Sequence, residues 1–415
     1  MSVKYTMRPD MLDERDLFPW FQPILALDSR LVIGYEVLGR YRTDEGVASL
    51  GPFFTDAGAD VREQIRVDRF IREQAIARLA RTEEKPLLFL NVKPSWMDRA
   101  WQSEGRLHTL RMLERHGIDP DRVVIEITED SYAGSIERLG EIVDIYRGAG
   151  CRIAIDDTGT GFNSADRIAG LSPDILKVDI HLMKRSASHS GYLAVLRSYS
   201  ALAEQIGASL LIEGVETEED LQRAIQLGAR YVQGYLFAAA GPDFQPADRY
   251  AAIVDNGLAR HRLGVRRSEA RWRETGEMLA DCVRRARFDD GGPASGADRY
   301  DRFVEGLLDR LPAACIRAYL CREDGEQLSS NYRRENGRWV RQPEFRGSNW
   351  SWRPYFVADI LHPAVGMNAN ISRSYADLGT RKWIRTISAS PAPGLIVLFD
   401  IIDGEAAIGT DGSAE

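Results

Sequence analysis

Residues 153–162 read IAIDDTGTGF, an apolar run that ends in two adjacent carboxylates, Asp156 and Asp157, before a glycine-rich loop. Adjacent like charges repel, and a buried carboxylate without a partner shifts its pKa or recruits a cation. The pair is therefore either a solvated turn or a cation site. The same design recurs in LVIGYEVL at Glu36, LLFLN at Asn91, VVIEITE at Glu126, ILKVD at Lys177 and Asp179, LLIEG at Glu213 and YVQG at Gln233. Each residue alone reads as a turn or a cap, and Lys177 with Asp179 reads as a plain ion pair on one strand face. Glu213 and Glu216 fit a helix start with Thr217 as its cap. Jointly the series favours chemistry: oxygen ligands in excess, with no histidine or cysteine among them, select Mg²⁺, Mn²⁺ or Ca²⁺ over zinc or copper. Neighbouring aspartates suit a bridged pair of such ions, and the glycines let the following loop fold over the site.

Something must bring these residues together. Up to residue 243 short apolar runs alternate with amphipathic stretches such as SIERLGEIVDIYRGAG and YLAVLRSYSALAEQIGAS. Repeated strand–helix units predict an α/β domain with a parallel sheet closed as a TIM-type barrel, whose strand C-termini gather at one mouth. FQPILAL and LVIGYEVL are separated only by Asp28, Ser29 and Arg30, too short for a parallel crossover, so that pair is predicted antiparallel.

The 415-residue length predicts two domains. A net charge of −8 argues against a general basic surface for polymeric nucleic acid, while a small anionic ligand remains compatible with local metal charge. The start carries no signal-peptide core, no apolar run has membrane-spanning length, and four scattered cysteines make neither a zinc site nor a disulfide framework. A cytoplasmic protein is expected. The predicted organisation is a barrel over 1–243, a helical linker over 244–290 and a smaller α+β domain over 291–403, with a disordered tail over 404–415. The linker shows a sparse apolar stripe at Trp272, Met278, Leu279, Cys282 and Val283.

Taken together, GYEVLGR, FLNVKP, IEITED, DDTGTGF, PDILKVD, IEGVET, QGYLF and FQPI resemble the motifs of the EAL family, phosphodiesterases that linearise cyclic di-GMP. The resemblance spans residues 17–243 and implies hydrolysis to linear pGpG with two Mg²⁺ or Mn²⁺ ions, calcium being inhibitory. It implies that Glu36, Asn91, Glu126 and Asp156 hold the first metal, with Asp157, Asp179 and Glu213 completing or serving the second. Lys177 would orient or deprotonate the attacking water, Glu216 and Gln233 would fix that lysine and metal-bound waters, and Glu129 would anchor the DDTGTGF loop. Gln22, Leu38, Arg40 and Asp179 would contact the nucleotide, with Arg40 suited to a phosphate oxygen.

Three positions depart from the pattern. Thr158 stands for the usual phenylalanine, Lys93 for a common serine two residues after Asn91, and AAAGP for the usual ending after QGYLF. Thr158 and the linked C-terminal domain keep a second reading in play: a catalytically weak receptor that binds cyclic di-GMP and signals through partner contacts. The family resemblance also implies a homodimer.

The C-terminal part resembles the PAS- or Cache-like module of YkuI-type EAL proteins in NWSWRPYF, SRSYADLGTRKWIRTIS and LIVLFDI. Such sensor folds hold small ligands, and Trp350, Trp352, Arg353, Tyr355 and Tyr375 would make an aromatic pocket with one cation. The alternative is that these aromatics are core and Arg353 pairs with Asp377 or Asp400.

Overall fold

The computed structural model describes residues 13–84, 86–128, 134–156, 165–179, 190–288, 298–353 and 368–404, together with Tyr132, Leu182, Lys184 and Phe356. The chain divides into two compact units, Met1–His261 and Arg262–Glu415.

The first unit is built on β1 (Leu17–Ala26), β2 (Val32–Thr43), β3 (Gly46–Ser49), β4 (Leu87–Val92) and β5 (Val123–Ile127). It continues through β6 (Arg152–Ile155), β7 (Ile175–Val178), β8 (Ser209–Ile212) and β9 (Tyr231–Val232). Their order is β1-β9-β8-β7-β6-β5-β4-β2-β3, and pairing of β1 with β2 closes the ring while β3 stays outside it. The expected barrel is present. β1 runs antiparallel to both of its neighbours, as the short connection to β2 requires. From β2 round to β9 the other ring contacts are parallel.

Parallel barrel strands are buried on both faces, which explains their near-continuous apolar runs. Alternate residues point opposite ways. Leu88, Leu90, Val123, Ile125, Ile153, Leu176 and Leu210 join the large core shared with the surrounding helices. Phe89, Val124, Ala154, Ile175, Leu211 and Tyr231, with Ile24 and Ala26 of β1, form a separate cluster that plugs the barrel interior. The helix Ile136–Ala149 illustrates the outer layer: Ser135 caps its start by accepting from Arg138 N, and Gly150 ends it at φ 108°. Between these ends Leu139, Ile142, Val143 and Tyr146 make a buried stripe at helical spacing.

The second unit is the expected α+β arrangement. It has β10 (Cys315–Arg322), β11 (Asn331–Glu335), β12 (Arg338–Gln342), β13 (Asn370–Ile371), β14 (Tyr375–Ala376), β15 (Trp383–Ala392) and β16 (Leu395–Ile402). The antiparallel sheet has the order β12-β11-β10-β16-β15-β13, with β14 also on β15. The β11–β12 hairpin turns at Asn336 and Gly337, both left-handed at φ 48° and 79°, as a tight primed turn demands. Phe303, Val304, Leu307 and Leu308 of the helix Asp298–Leu308 pack on Ala318, Leu320, Val397 and Phe399 of the sheet.

The stretch expected as a linker over 244–290 is one continuous helix over Ala251–Ala286. Val254 near its start belongs to the barrel core, whereas Trp272, Leu279, Ala280 and Val283 belong to the second core. The stretch RPYFVADIL, which reads from its sequence as a helix, and the tail from residue 405 fall outside the described residues, apart from Arg353 and Phe356. Among the described residues no helix is long and apolar enough to cross a membrane.

Candidate functional site

The period of the strands places the polar residues. Asn91, Glu126, Asp156, Lys177, Glu213 and Gln233 each lie two positions after an interior residue: Phe89, Val124, Ala154, Ile175, Leu211 and Tyr231. A shift of two keeps a side chain on the same face of its strand, so these six project one layer higher along the barrel axis. β1 runs the other way, and its register sets Gln22 opposite Glu36 on β2. These six thus share one rim with Glu36 and Gln22.

Lys177 stands at the centre of this rim with no exposed surface. Its Nζ lies 2.8 Å from Glu126 Oε1, 3.0 Å from Asp156 Oδ1, 3.0 Å from Glu213 Oε1 and 4.0 Å from Glu36 Oε2. Two amides complete the frame: Asn91 Nδ2 donates to Glu36 Oε1 at 2.8 Å and Gln233 Nε2 donates to Glu36 Oε2 at 2.7 Å. Burial pulls the Lys177 ammonium down, but Asp156, Glu126, Glu213 and Glu36 outweigh it and hold the pKa well above the usual lysine value. Burial pushes the Glu126 and Glu213 carboxyls well up, Lys177 opposes this, and the neighbouring acids add to it. One ammonium faces four carboxylates, so the ring is starved of positive charge.

Among the described residues no three acidic, histidine or cysteine side chains already stand as a formed metal site. The donor chemistry nevertheless fits a hard divalent cation. Glu126 Oε2 and Gln233 Oε1 are buried without a hydrogen-bond donor, and Glu126 Oε1 and Glu213 Oε1 have only the shared Lys177 ammonium beside them. Oxygen atoms in that state are what such an ion satisfies.

Beside this ring lies a cleft of about 680 Å³, lined by Leu38, Arg40, Asn91, Lys93, Trp96 and Thr128 among others. Leu38 and Arg40, expected at the nucleotide, therefore share a cavity with the ring residue Asn91. The Arg40 guanidinium lies over the Trp20 ring at 5.4 Å and is half-buried. Gln22 Nε2 donates to Ala238 O at 3.3 Å. Trp20 and Trp96 were not singled out from the sequence. Lys93 was noticed only as a departure; it donates to Phe54 O at 2.8 Å and sits 4.9 Å from the Trp96 ring centre.

Two expected residues sit differently. Glu216 reaches the exposed Lys184 at 2.6 Å and is not among the carboxylates around Lys177. It precedes Thr217, which caps the helix Glu218–Gln226 in a reciprocal box with Asp220, so the helix-start reading describes its surroundings. Asp179 follows β7 at a half-buried position, and its carbonyl accepts from Leu182 N. Glu129 and Asp157 lie outside the described residues.

Gln233 is held in place by a close backbone approach. Val215 N donates to Gln233 O at 2.9 Å, and a Cβ on Gly234 would stand 2.1 Å from Val215 O and 2.2 Å from Val215 N. Gly234→Ala is expected to cost about 3 kcal/mol, the upper end for overpacking, because backbone rather than side chain must yield. A urea melt checks this; an unchanged midpoint would mean that the end of β9 shifts freely.

The expected sensor residues are spread over several environments. Trp350 donates to Gln327 Oε1 at 2.8 Å and packs against the cluster of Tyr319, Phe356, Ile396 and Leu398. Trp352 is 63% exposed, with the Arg353 guanidinium 4.6 Å from its ring centre. The Tyr375 hydroxyl meets Thr386 Oγ1 at 2.5 Å, and Tyr355 lies outside the described residues. Asp377 and Asp400, weighed as partners of Arg353, are both bonded by Arg317.

A closed barrel with one reversed strand and an acidic, amide-framed rim defines the class. The EAL domain profile matches residues 7–240, and a profile described as an EAL-domain associated signalling protein domain matches residues 292–402. The chain belongs to the EAL-domain family. It is 35% identical over 386 residues to YkuI of Bacillus subtilis, an uncharacterized EAL-domain containing protein, across 93% of this chain and 94% of that one. The crystal structure of Bacillus subtilis YkuI in complex with substrate c-di-GMP and calcium matches with a TM-score of 0.84 and 33% identity, covering 96% of this chain and all of that one. The chain is also 32% identical over 239 residues to the cyclic di-GMP phosphodiesterase RocR of Pseudomonas aeruginosa, across 56% of this chain and 59% of that one.

Proposed function

We propose that this chain is a metal-dependent phosphodiesterase that opens cyclic di-GMP to linear pGpG. The observation that carries the reading is the rim itself: Glu36, Asn91, Glu126, Asp156 and Glu213 gathered around one buried lysine. These five residues would hold Mg²⁺ or Mn²⁺, Glu213 being assigned by resemblance, with Asp157 and Asp179, to the second ion. The ions supply Lewis-acid activation of a phosphoryl oxygen and of water. Lys177, ringed by the carboxylates that would hold the ions, would orient or deprotonate the attacking water. Arg40, braced on Trp20, presents a fixed guanidinium to a phosphate oxygen. Water adds to one phosphorus, the bond to the 3′ oxygen breaks, and the ring opens to a 5′-phosphate. The domain over 291–403 sets the rate.

Incubation of the full chain with cyclic di-GMP and Mg²⁺ or Mn²⁺ is expected to yield pGpG by chromatography, and chelation is expected to stop it. Nucleotide that binds by calorimetry yet stays intact for hours would replace this reading with the receptor. Absence of binding would remove both.

A further inference from the structure

The second unit carries a cationic cleft that the barrel chemistry does not use. Antiparallel register sets Arg317 of β10 opposite Arg333 of β11, and like charges facing across a strand pair destabilise it. Arg317 is compensated from the sheet side by Asp400 at 2.7 Å and by Asp377 at 3.0 Å. Its neighbours in the cleft are not. Arg333 has only Glu335 at 3.6 Å, and the Lys382 ammonium has no acidic partner among the described residues. Arg334, next along β11, turns to the opposite face of the sheet, where it lies 4.4 Å from the Trp339 ring centre and donates to Pro312 O and Leu311 O. Beyond the paired Arg317, Arg333 and Lys382 therefore bring two cations to the cleft against the single carboxylate of Glu335.

The rim of this cleft is already built. Asp377 Oδ2 accepts from Thr380 N at 2.7 Å and from Thr380 Oγ1 at 2.8 Å. Asp377 N donates to Lys382 O at 2.9 Å, and Arg381 N donates to Asp377 O at 2.8 Å. The segment DLGTRK is thus a closed turn that holds Gly379, Thr380 and Lys382 along one side, while Arg333 with Arg317 forms the other. A ligand entering here has little ordering to impose. The cleft measures about 520 Å³, far more than a bare ion occupies and within the range of small-molecule sites.

We infer that the cleft between β10, β11 and the Asp377–Lys382 turn binds a small organic oxyanion with at least two negative charges, carboxylate or phosphate, through Arg333 and Lys382. Citrate and pyrophosphate serve as probes on the full chain, each against sodium chloride of equal ionic strength. Either probe is expected to bind by calorimetry and to raise the melting temperature beyond the chloride control. Arg333→Glu and Lys382→Glu, both at positions with little structural bonding, are expected to weaken binding at least about 10-fold each. A response to citrate alone assigns the site to polycarboxylates, and one to pyrophosphate alone assigns it to phosphates. A response equal to chloride, absent at millimolar probe, or unchanged in the double variant overturns the site. None of these outcomes depends on turnover by the barrel.

Discussion

Lys177→Met is expected to destabilise the cation-free barrel by about 4 kcal/mol, the cost of stripping one partner from a buried charge cluster. The methionine keeps most of the side-chain volume, so the loss is electrostatic and not a cavity. In the native chain the ammonium lies within 3.0 Å of the buried Glu126 and the half-buried Asp156 and Glu213, and among the described residues no other cation in the ring replaces it. For a unit of this size the change corresponds to a fall in Tm of roughly 10 °C. The pH dependence has a defined sign. Glu126 and Glu213 already have folded-state pKa values raised by burial, and removing Lys177 raises them further. The folded variant then binds more protons than the unfolded chain above the ordinary carboxylate pKa, so its stability falls as pH rises through that window. The deficit is accordingly largest in alkaline buffer and shrinks towards about pH 4, where unfolded glutamates also protonate. Mg²⁺ or Mn²⁺ is expected to restore much of the lost stability, since a divalent ion supplies the missing charge. Melting curves in chelator and in metal at acid and alkaline pH test all three points. A variant that melts with the native chain in alkaline chelator would show that the ring is not held by this lysine.

The rim was legible because both-faces-buried strands leave a sharp boundary: the run stays apolar until the interior plug ends, and the next inward residue is polar. Phe89 to Asn91 and Val124 to Glu126 show the step directly. Chain reversal between β1 and β2 was equally readable from loop length. Glu216 shows the limit. An acidic residue before a Thr-x-x-Asp box serves a helix start or a site equally well in one dimension, and only the position of Lys184 separates them. The helix Ala251–Ala286 looked like a separate linker because its middle is charged; its two apolar ends contribute to different cores. In the second unit the Asn336-Gly337 turn announced its hairpin, whereas Arg317 meets Asp377 and Asp400 across 60 and 83 residues of sequence, beyond any local signal. The two-residue strands β13 and β14 carry no periodicity to read.

Glu36→Gln is expected to lower kcat/KM for cyclic di-GMP by about 10³-fold or more, the equivalent of several kcal/mol of charge stabilisation from a bound metal. Glu36 is the hub of the rim: one oxygen accepts from Asn91, the other from Gln233, and Gln22 faces it across the β1–β2 pair. Glutamine preserves shape and one acceptor, so one of the two amides can keep its bond while the negative charge is lost. Glu36→Ala removes both acceptors and leaves two part-buried or buried amide donors unpaired, adding about 1–3 kcal/mol of folding cost per group. The pair of variants separates chemistry from folding. If charge at Glu36 matters for metal, Glu36→Gln melts close to the native chain yet turns over as poorly as Glu36→Ala, and excess Mn²⁺ recovers part of its activity. Residual binding of the nucleotide should persist in both variants, because Leu38 and Arg40 remain in the adjoining cleft. Native turnover by Glu36→Gln at ordinary Mg²⁺ would take Glu36 out of the metal-binding set.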